Sequence, residues 1–322
     1  MRFKRTINNC YMQWLPGSFE DPRLTRPWAA LKAWPSMVPV EIAASVCQEP
    51  ELERDVEGYG GFRPFANPDY LRFYAFYTGL LWHLMTQHAS DDLYKRLEEP
   101  ALGTPIALHY KDQAISQDLA QSLLEYSRIK ELTRQLPLPE RPTYLELGAG
   151  YGRLAYVLLS ARTCRYIIVD IPPTILVAKW YLSRVFPQRR VFGYRSFADF
   201  AEVQAELEDA ELIFLSPNQL ALLPDGYADV SISISSLHEM SMPQIARYKE
   251  LLQNKTRSAI YLKQWARWHN PVDDIDVGTA DFALGPPWML MLNAIDLANE
   301  EFVEQGWHAV VATTQAELEA AP

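Results

Sequence analysis

The segment that most constrains this chain is Tyr144-Leu145-Glu146-Leu147-Gly148-Ala149-Gly150-Tyr151-Gly152. Thr143–Leu147 reads as a buried strand and Arg153–Ala161 as a helix, with three alternate glycines between them. Glycine there lets the backbone turn sharply and lets a ligand approach the chain closely. Strand, glycine turn and helix in that order predict the opening unit of an α/β sheet that carries a ligand on its first loop.

The residues that follow continue the alternation. Arg165–Val169 is a β-branched strand that ends at Asp170, and a helix is expected over 173–185, with prolines at its start where they are tolerated. Further strands are expected at 191–194, 211–215, 230–234 and 259–262, with helices between several of them. Such an alternation makes a parallel sheet covered on both faces, with ligands at the carboxyl ends of its strands. Upstream, 69–87 is apolar on nearly every side and is expected to be a helix buried all round. A second helix is expected over 116–135, with Ser116 as N-cap and Asp118 in its first turn. The proline-rich joint Leu136-Pro137-Leu138-Pro139-Glu140-Arg141-Pro142 cannot continue that helix, and the domain boundary is placed there. Residues 1–136 then form a helical cap and substrate region, 137–322 the α/β domain, and 317–322 a frayed tail.

Composition removes several classes. A formal charge of −10 over 322 residues, with no Lys/Arg run, argues against a nucleic-acid partner. Cys10, Cys47 and Cys164 are far apart and suggest neither a disulfide framework nor a zinc site. The basic start leads into polar residues and not into a signal peptide, and no run of about 18 apolar residues offers a membrane span. A soluble, reduced, cytoplasmic protein is the expectation.

Two cofactor classes use a glycine loop of this kind. In the dinucleotide fingerprint G-x-G-x-x-G/A the third small residue would fall at Arg153, which is too large. The segment fits E-x-G-x-G-x-G instead, and a carboxylate at Glu146 would repel a pyrophosphate while welcoming the ammonium and sulfonium charges of S-adenosylmethionine. Asp170, 24 residues beyond Glu146, is placed to accept hydrogen bonds from ribose hydroxyls, with Ile171 and Pro172 as an apolar wall for the adenine.

The stretches YLELGAGYGRLAYVLL, YIIVDIPP and LIFLSPNQLALLPDGYADVSISISSLHEM resemble class I methyltransferases. More narrowly, with YKDQAISQDLAQSLLEY upstream, they resemble the bacterial sugar O-methyltransferases, over about residues 105 to 270. The resemblance implies a Rossmann-like sheet with an α-helical N-terminal part and methyl transfer to a sugar hydroxyl. It implies cofactor contacts at Glu146, Gly148, Ala149, Gly150, Asp170 and Ser235, with Pro217, Asn218 and Gln219 near the adenine. Many class I enzymes carry an acidic residue where Ser216-Pro217-Asn218 stands, so an amide or a backbone carbonyl must serve here.

The strand that ends at Ile234 runs into Ser235-Ser236-Leu237-His238-Glu239-Met240. A sugar hydroxyl attacks well only as its proton is removed, and histidine is the usual base near neutral pH. His238 is the best-placed candidate, set against a helix-cap role for the helix that starts near Met242. Glu239 is expected to orient the imidazole or bind a hydroxyl, although adjacent strand residues point oppositely. The next strand end supplies Trp265 and Trp268, for stacking or for packing, and His269 as a reserve base; Tyr110 joins Trp265 and His269 as an acceptor contact. Asp273, Asp274 and Asp276 raise the possibility of a divalent ion, but a surface acidic turn is preferred and no metal is assigned. The reading is an O-methyltransferase for a small hydroxylated acceptor, a sugar or glycoside. Its rivals are an O-methyltransferase for a non-sugar natural product and a cofactor-binding assembly partner without turnover.

Overall fold

The computed structural model describes residues 68–102, 108–110, 113–270 and 274–310, with the side chains of 68–74 and 172–173 outside the description. Cys10, Cys47, Asp273 and the 317–322 tail therefore lie outside the described residues.

Helix α1 (Pro68–His88) and helix α2 (Gln117–Thr133) flank the short hairpin of β1 (Leu108–Tyr110) and β2 (Gln113–Ile115). Ser116 caps α2, its hydroxyl accepting from the Leu119 N–H at 2.9 Å. α1 is not buried all round: Thr78, Leu81, Trp82 and Met85, spaced on one helical face, are buried, whereas Phe76 and Leu80 are exposed.

The α/β unit alternates as expected: β3 (Thr143–Leu147), α3 (Arg153–Ala161), β4 (Arg165–Val169), α4 (Pro172–Val185), β5 (Val191–Phe192), α5 (Gln204–Asp209), β6 (Leu212–Leu215), α6 (Pro217–Leu220), β7 (Ala228–Ile234), α7 (Met242–Lys255) and β8 (Thr256–Trp265). β5 stops two residues before its expected end. A side hairpin, β9 (Arg267–Asn270) with β10 (Ile275–Gly278), precedes two long strands, β11 (Trp288–Ile295) and β12 (Phe302–Ala309), which the sequence pattern did not announce.

Eight strands form one sheet in the order β11-β12-β8-β7-β3-β4-β6-β5. Its pairs are parallel except those of β12, which lies antiparallel between β11 and β8. From β3 the chain winds outward to β5, then returns to β7 on the other side of β3. The crevice above β3 and β7 is thus the topological switch point, where open α/β sheets take their ligands.

The sheet is buried on both faces. Tyr144, Tyr166, Ile168, Val230 and Tyr261 pack beneath α1, α2, α3 and α4. Leu145, Leu147, Ile167, Ile213 and Leu262 pack beneath α5 and α7. Leu81, Trp82 and Met85 of α1 belong to the first of these cores, together with sheet residues. The proline joint at 136–142 therefore connects elements of one core, in which α1 packs on α2 and α2 on β8. Among the described residues, no helix is long and apolar enough to cross a membrane.

Candidate functional site

The glycine loop shows why this sequence needs its glycines. Gly148, Gly150 and Gly152 all take left-handed backbone, with φ of 77°, 58° and 92°. A Cβ on Gly148 would stand 2.2 Å from Ser236 Oγ, so the loop touches the end of β7 across the switch point. A Cβ on Gly152 would press on Leu182 of α4 at 2.7 Å. Gly150 has nothing within 4 Å of that position, and it is here that the loop leaves room for a ligand.

Asp170 ends β4 and braces the loop. Its carboxylate accepts the Gly150 N–H at 2.8 Å and the Ile171 N–H at 2.7 Å. Burial raises its pKa to about 7, against these two N–H donors. Ile171 beside it is exposed and Ala149 is buried.

Glu146 is buried, 3% exposed, and accepts the Tyr166 hydroxyl at 2.7 Å. Burial raises its pKa to about 8, although Tyr166 and Arg153 pull it down.

Arg153, the first residue of α3, anchors the loop to α2. Its guanidinium forks onto Glu125, at 2.7 and 3.0 Å, and onto Ser122 Oγ at 2.8 Å. Lys263 of β8, 1% exposed, reaches Glu125 at 3.1 Å and Asp296 at 2.8 Å. Tyr151 adds a further tie, its hydroxyl donating to Asp118 at 2.9 Å.

At the end of β7, Ser235 adopts φ 50°, uncommon for a residue with a side chain. A 3-10 turn over Leu237–Glu239 follows. This turn resolves the objection that neighbours on a strand point apart: it brings His238 Nε2 and Glu239 Oε1 to 4.0 Å. His238 is 1% exposed, and burial lowers its pKa to about 4, so its ring is neutral near pH 7. Its Nδ1 lies 3.0 Å from Gln264 Oε1, nearer than Glu239 stands to Nε2. Glu239 keeps 48% of its side chain open at the mouth of this recess. Partial desolvation, with Asp170 nearby as a like charge, raises its carboxyl to about 7, an effect that open solvent moderates. His238 is not the cap of α7. Ser241 is, with the Gln244 side-chain carbonyl accepting its N–H at 3.0 Å.

The remaining candidates divide. Trp265 packs against Phe302 at 4.9 Å and Trp268 at 5.3 Å, and Trp268 stands edge-on to His238 at 5.2 Å, so the tryptophans wall the imidazole. His269 sits on the side hairpin, with Asp276 at 3.0 Å from Nδ1 and Asp274 at 3.3 Å from Nε2, all three side chains being exposed. Those carboxylates hold opposite ring atoms and do not converge, and no metal-binding cluster is present among the described residues. The Gln219 side chain accepts from Ser216 N at 2.9 Å and donates to the Arg195 carbonyl at 2.7 Å. Asn218 is exposed and Pro217 partly so. Tyr110 lies, 45% exposed, on the β1–β2 hairpin, outside the main sheet.

Gln264, Lys263 and Glu125 were missed. A visible trace existed: Lys263-Gln264 interrupts an apolar strand at its carboxyl end, and Glu125 interrupts the apolar run of α2.

No family model matches the chain, and no curated protein does. Among solved structures, magnesium protoporphyrin IX methyltransferase (ChlM) from Synechocystis PCC 6803 with bound SAH is similar at 12% identity and TM-score 0.42, over 73% of this chain and 97% of that one. A SAM-dependent methyltransferase from Aquifex aeolicus is similar at 14% identity and TM-score 0.35, over 56% and 89%. The pyocyanin biosynthetic protein PhzM is similar at 12% and 0.37, over 59% of this chain but only 57% of its own. Likenesses this distant assign neither activity nor substrate. The sheet order, its single antiparallel strand next to the edge and the glycine loop at the switch point make the fold of this chain Rossmann-like α/β.

Proposed function

We propose that the chain is an S-adenosylmethionine-dependent O-methyltransferase for a small hydroxylated acceptor, a sugar or glycoside. The observation that carries the reading is the loop of three left-handed glycines, open at Gly150 and braced by the strand-end carboxylate of Asp170. The donor set suits this cofactor: three carboxyls, Glu146, Asp170 and Glu239, have pKa values raised by burial, and a ligand bearing sulfonium and ammonium charge would favour their ionised forms. A dinucleotide pyrophosphate would meet the same carboxyls as repulsion. The sugar class rests on the sequence resemblance of the IVDIPP and LHEM segments.

The bound cofactor would supply an electrophilic methyl group. The chain itself would align the acceptor and manage its proton. Two groups 4.0 Å apart, His238 Nε2 and Glu239 Oε1, can both lie within hydrogen-bond reach of one hydroxyl oxygen set between them. The neutral imidazole takes the proton as the oxygen attacks, while the tryptophans around it exclude water. Proximity and alignment contribute the larger share.

Calorimetric titration tests the reading. S-adenosylmethionine is expected to bind in the micromolar range, and nicotinamide dinucleotides more weakly or not at all. Asp170→Ala should weaken cofactor binding while the protein still melts cooperatively, each lost bond to the carboxylate being worth about 1.5–3 kcal/mol. Tighter binding of the dinucleotide would sink the proposal.

A further inference from the structure

Gln264 lies 2% exposed near the carboxyl end of β8 and reaches across to the end of β7. Both ends of its amide are decided by partners that have one role each. Its Nε2 lies 3.0 Å from the Ser233 carbonyl oxygen, which can only accept. Its Oε1 faces the backbone N–H groups of Ser236 at 3.2 Å and His238 at 3.4 Å, which can only donate. The amide therefore cannot be turned over without breaking three contacts. The same Oε1 stands 3.0 Å from His238 Nδ1. An oxygen that must accept obliges Nδ1 to carry hydrogen.

We propose that Gln264 is a positioning residue that fixes the proton of His238 on Nδ1 and leaves the Nε2 lone pair on the Glu239 side of the ring. A neutral imidazole has one N–H, so the nitrogen 4.0 Å from Glu239 Oε1 is the basic one. Burial keeps the ring from taking a second proton at neutral pH. Without Gln264, either nitrogen could hold the proton, and the tautomer with hydrogen on Nε2 cannot accept one from an acceptor hydroxyl. The catalytic meaning of this arrangement rests on the proposed role of His238 as base, whereas the tautomer can be read without any turnover.

The test is ¹⁵N spectroscopy of the histidine rings in the full chain, with no cofactor or acceptor added and the His238 signals assigned by comparison with His238→Gln. The wild type should show a protonated, pyrrole-type Nδ1 and a pyridine-type Nε2. Gln264→Glu, which keeps an acceptor oxygen, should retain that pattern and raise the ring's pKa. Gln264→Met, similar in length but without the acceptor, should move the proton wholly or partly to Nε2. Its turnover should drop about 10- to 100-fold, the range for partners that hold an imidazole in place, with cofactor affinity unchanged. A wild-type ring protonated on Nε2, or a folded Gln264→Met that keeps Nδ1 protonated, would overturn the proposal. Should Gln264→Met fail to fold, the wild-type and Gln264→Glu spectra still decide it. The expected tautomers together with full turnover in His238→Gln would uphold the positioning role and refute the base.

Discussion

Two groups of charged side chains sit on this sheet and follow opposite rules. Beneath α2, Glu125, Arg153, Lys263 and Asp296 are each matched by opposite charge at 2.7–3.1 Å. The neighbouring cations hold the Glu125 pKa down in spite of its burial, and the carboxylates hold Lys263 and Arg153 up. At the strand ends, Asp170 and Glu146 are held instead by N–H and O–H donors, and Glu239 faces a neutral imidazole. These three titrate at about 7, 8 and 7. The first group is complete and ties the helical cover to the sheet. In the second, Arg153 offsets only part of the burial at Glu146, and no cation opposes it at Asp170 or Glu239, a sign of a site left for a ligand.

Removing one partner from the complete group should give the largest effect. Glu125→Ala would strand Arg153 and Lys263 without their shared carboxylate, and a loss of about 3–5 kcal/mol is expected in denaturant unfolding. A loss below about 1 kcal/mol would show that the network relaxes and that the contrast between the two groups is smaller than their geometry suggests.

In the incomplete group the expected effects are on rate. His238→Ala should lower turnover by roughly 10²–10⁴ and leave cofactor affinity in place. The pH profile assigns the proton acceptor. With His238 as base, turnover should be level across neutral pH and fall only toward the ring's pKa of about 4. An inflection near 7 that Glu239→Gln abolishes and Asp170→Asn keeps would move the role to Glu239.

A further effect is expected on thermal stability. Carboxyls with folded-state pKa values above their ordinary 3.8 and 4.5 bind more protons folded than unfolded, so stability should fall as pH rises from that range through about 8. Saturating S-adenosylmethionine should flatten the slope, because its cationic groups would stabilise the ionised carboxyls. A Tm that rises over this window without ligand would refute the unpaired character of the group.

Local pattern was enough for β3, α3 and β4, whose bounds coincide with their expected limits, because a buried parallel strand and an amphipathic helix each advertise themselves within a few residues. The glycine loop was legible for the same reason, since left-handed backbone at three alternate positions is a local demand. What tertiary structure alone decided depends on which distant residues meet. Glu146 and Asp170 are both strand-end carboxylates in the sequence, yet Tyr166 claims one and the loop amides hold the other. His269 follows β8 in the sequence, yet the fold sets it on the side hairpin beside Asp274 and Asp276. His238 has its proton placed by Gln264, 26 residues away. Hydrogen-bond partners across a sheet are set by register and strand order, which no window of sequence encodes, so the chain announced its loop but not the partners that hold its site.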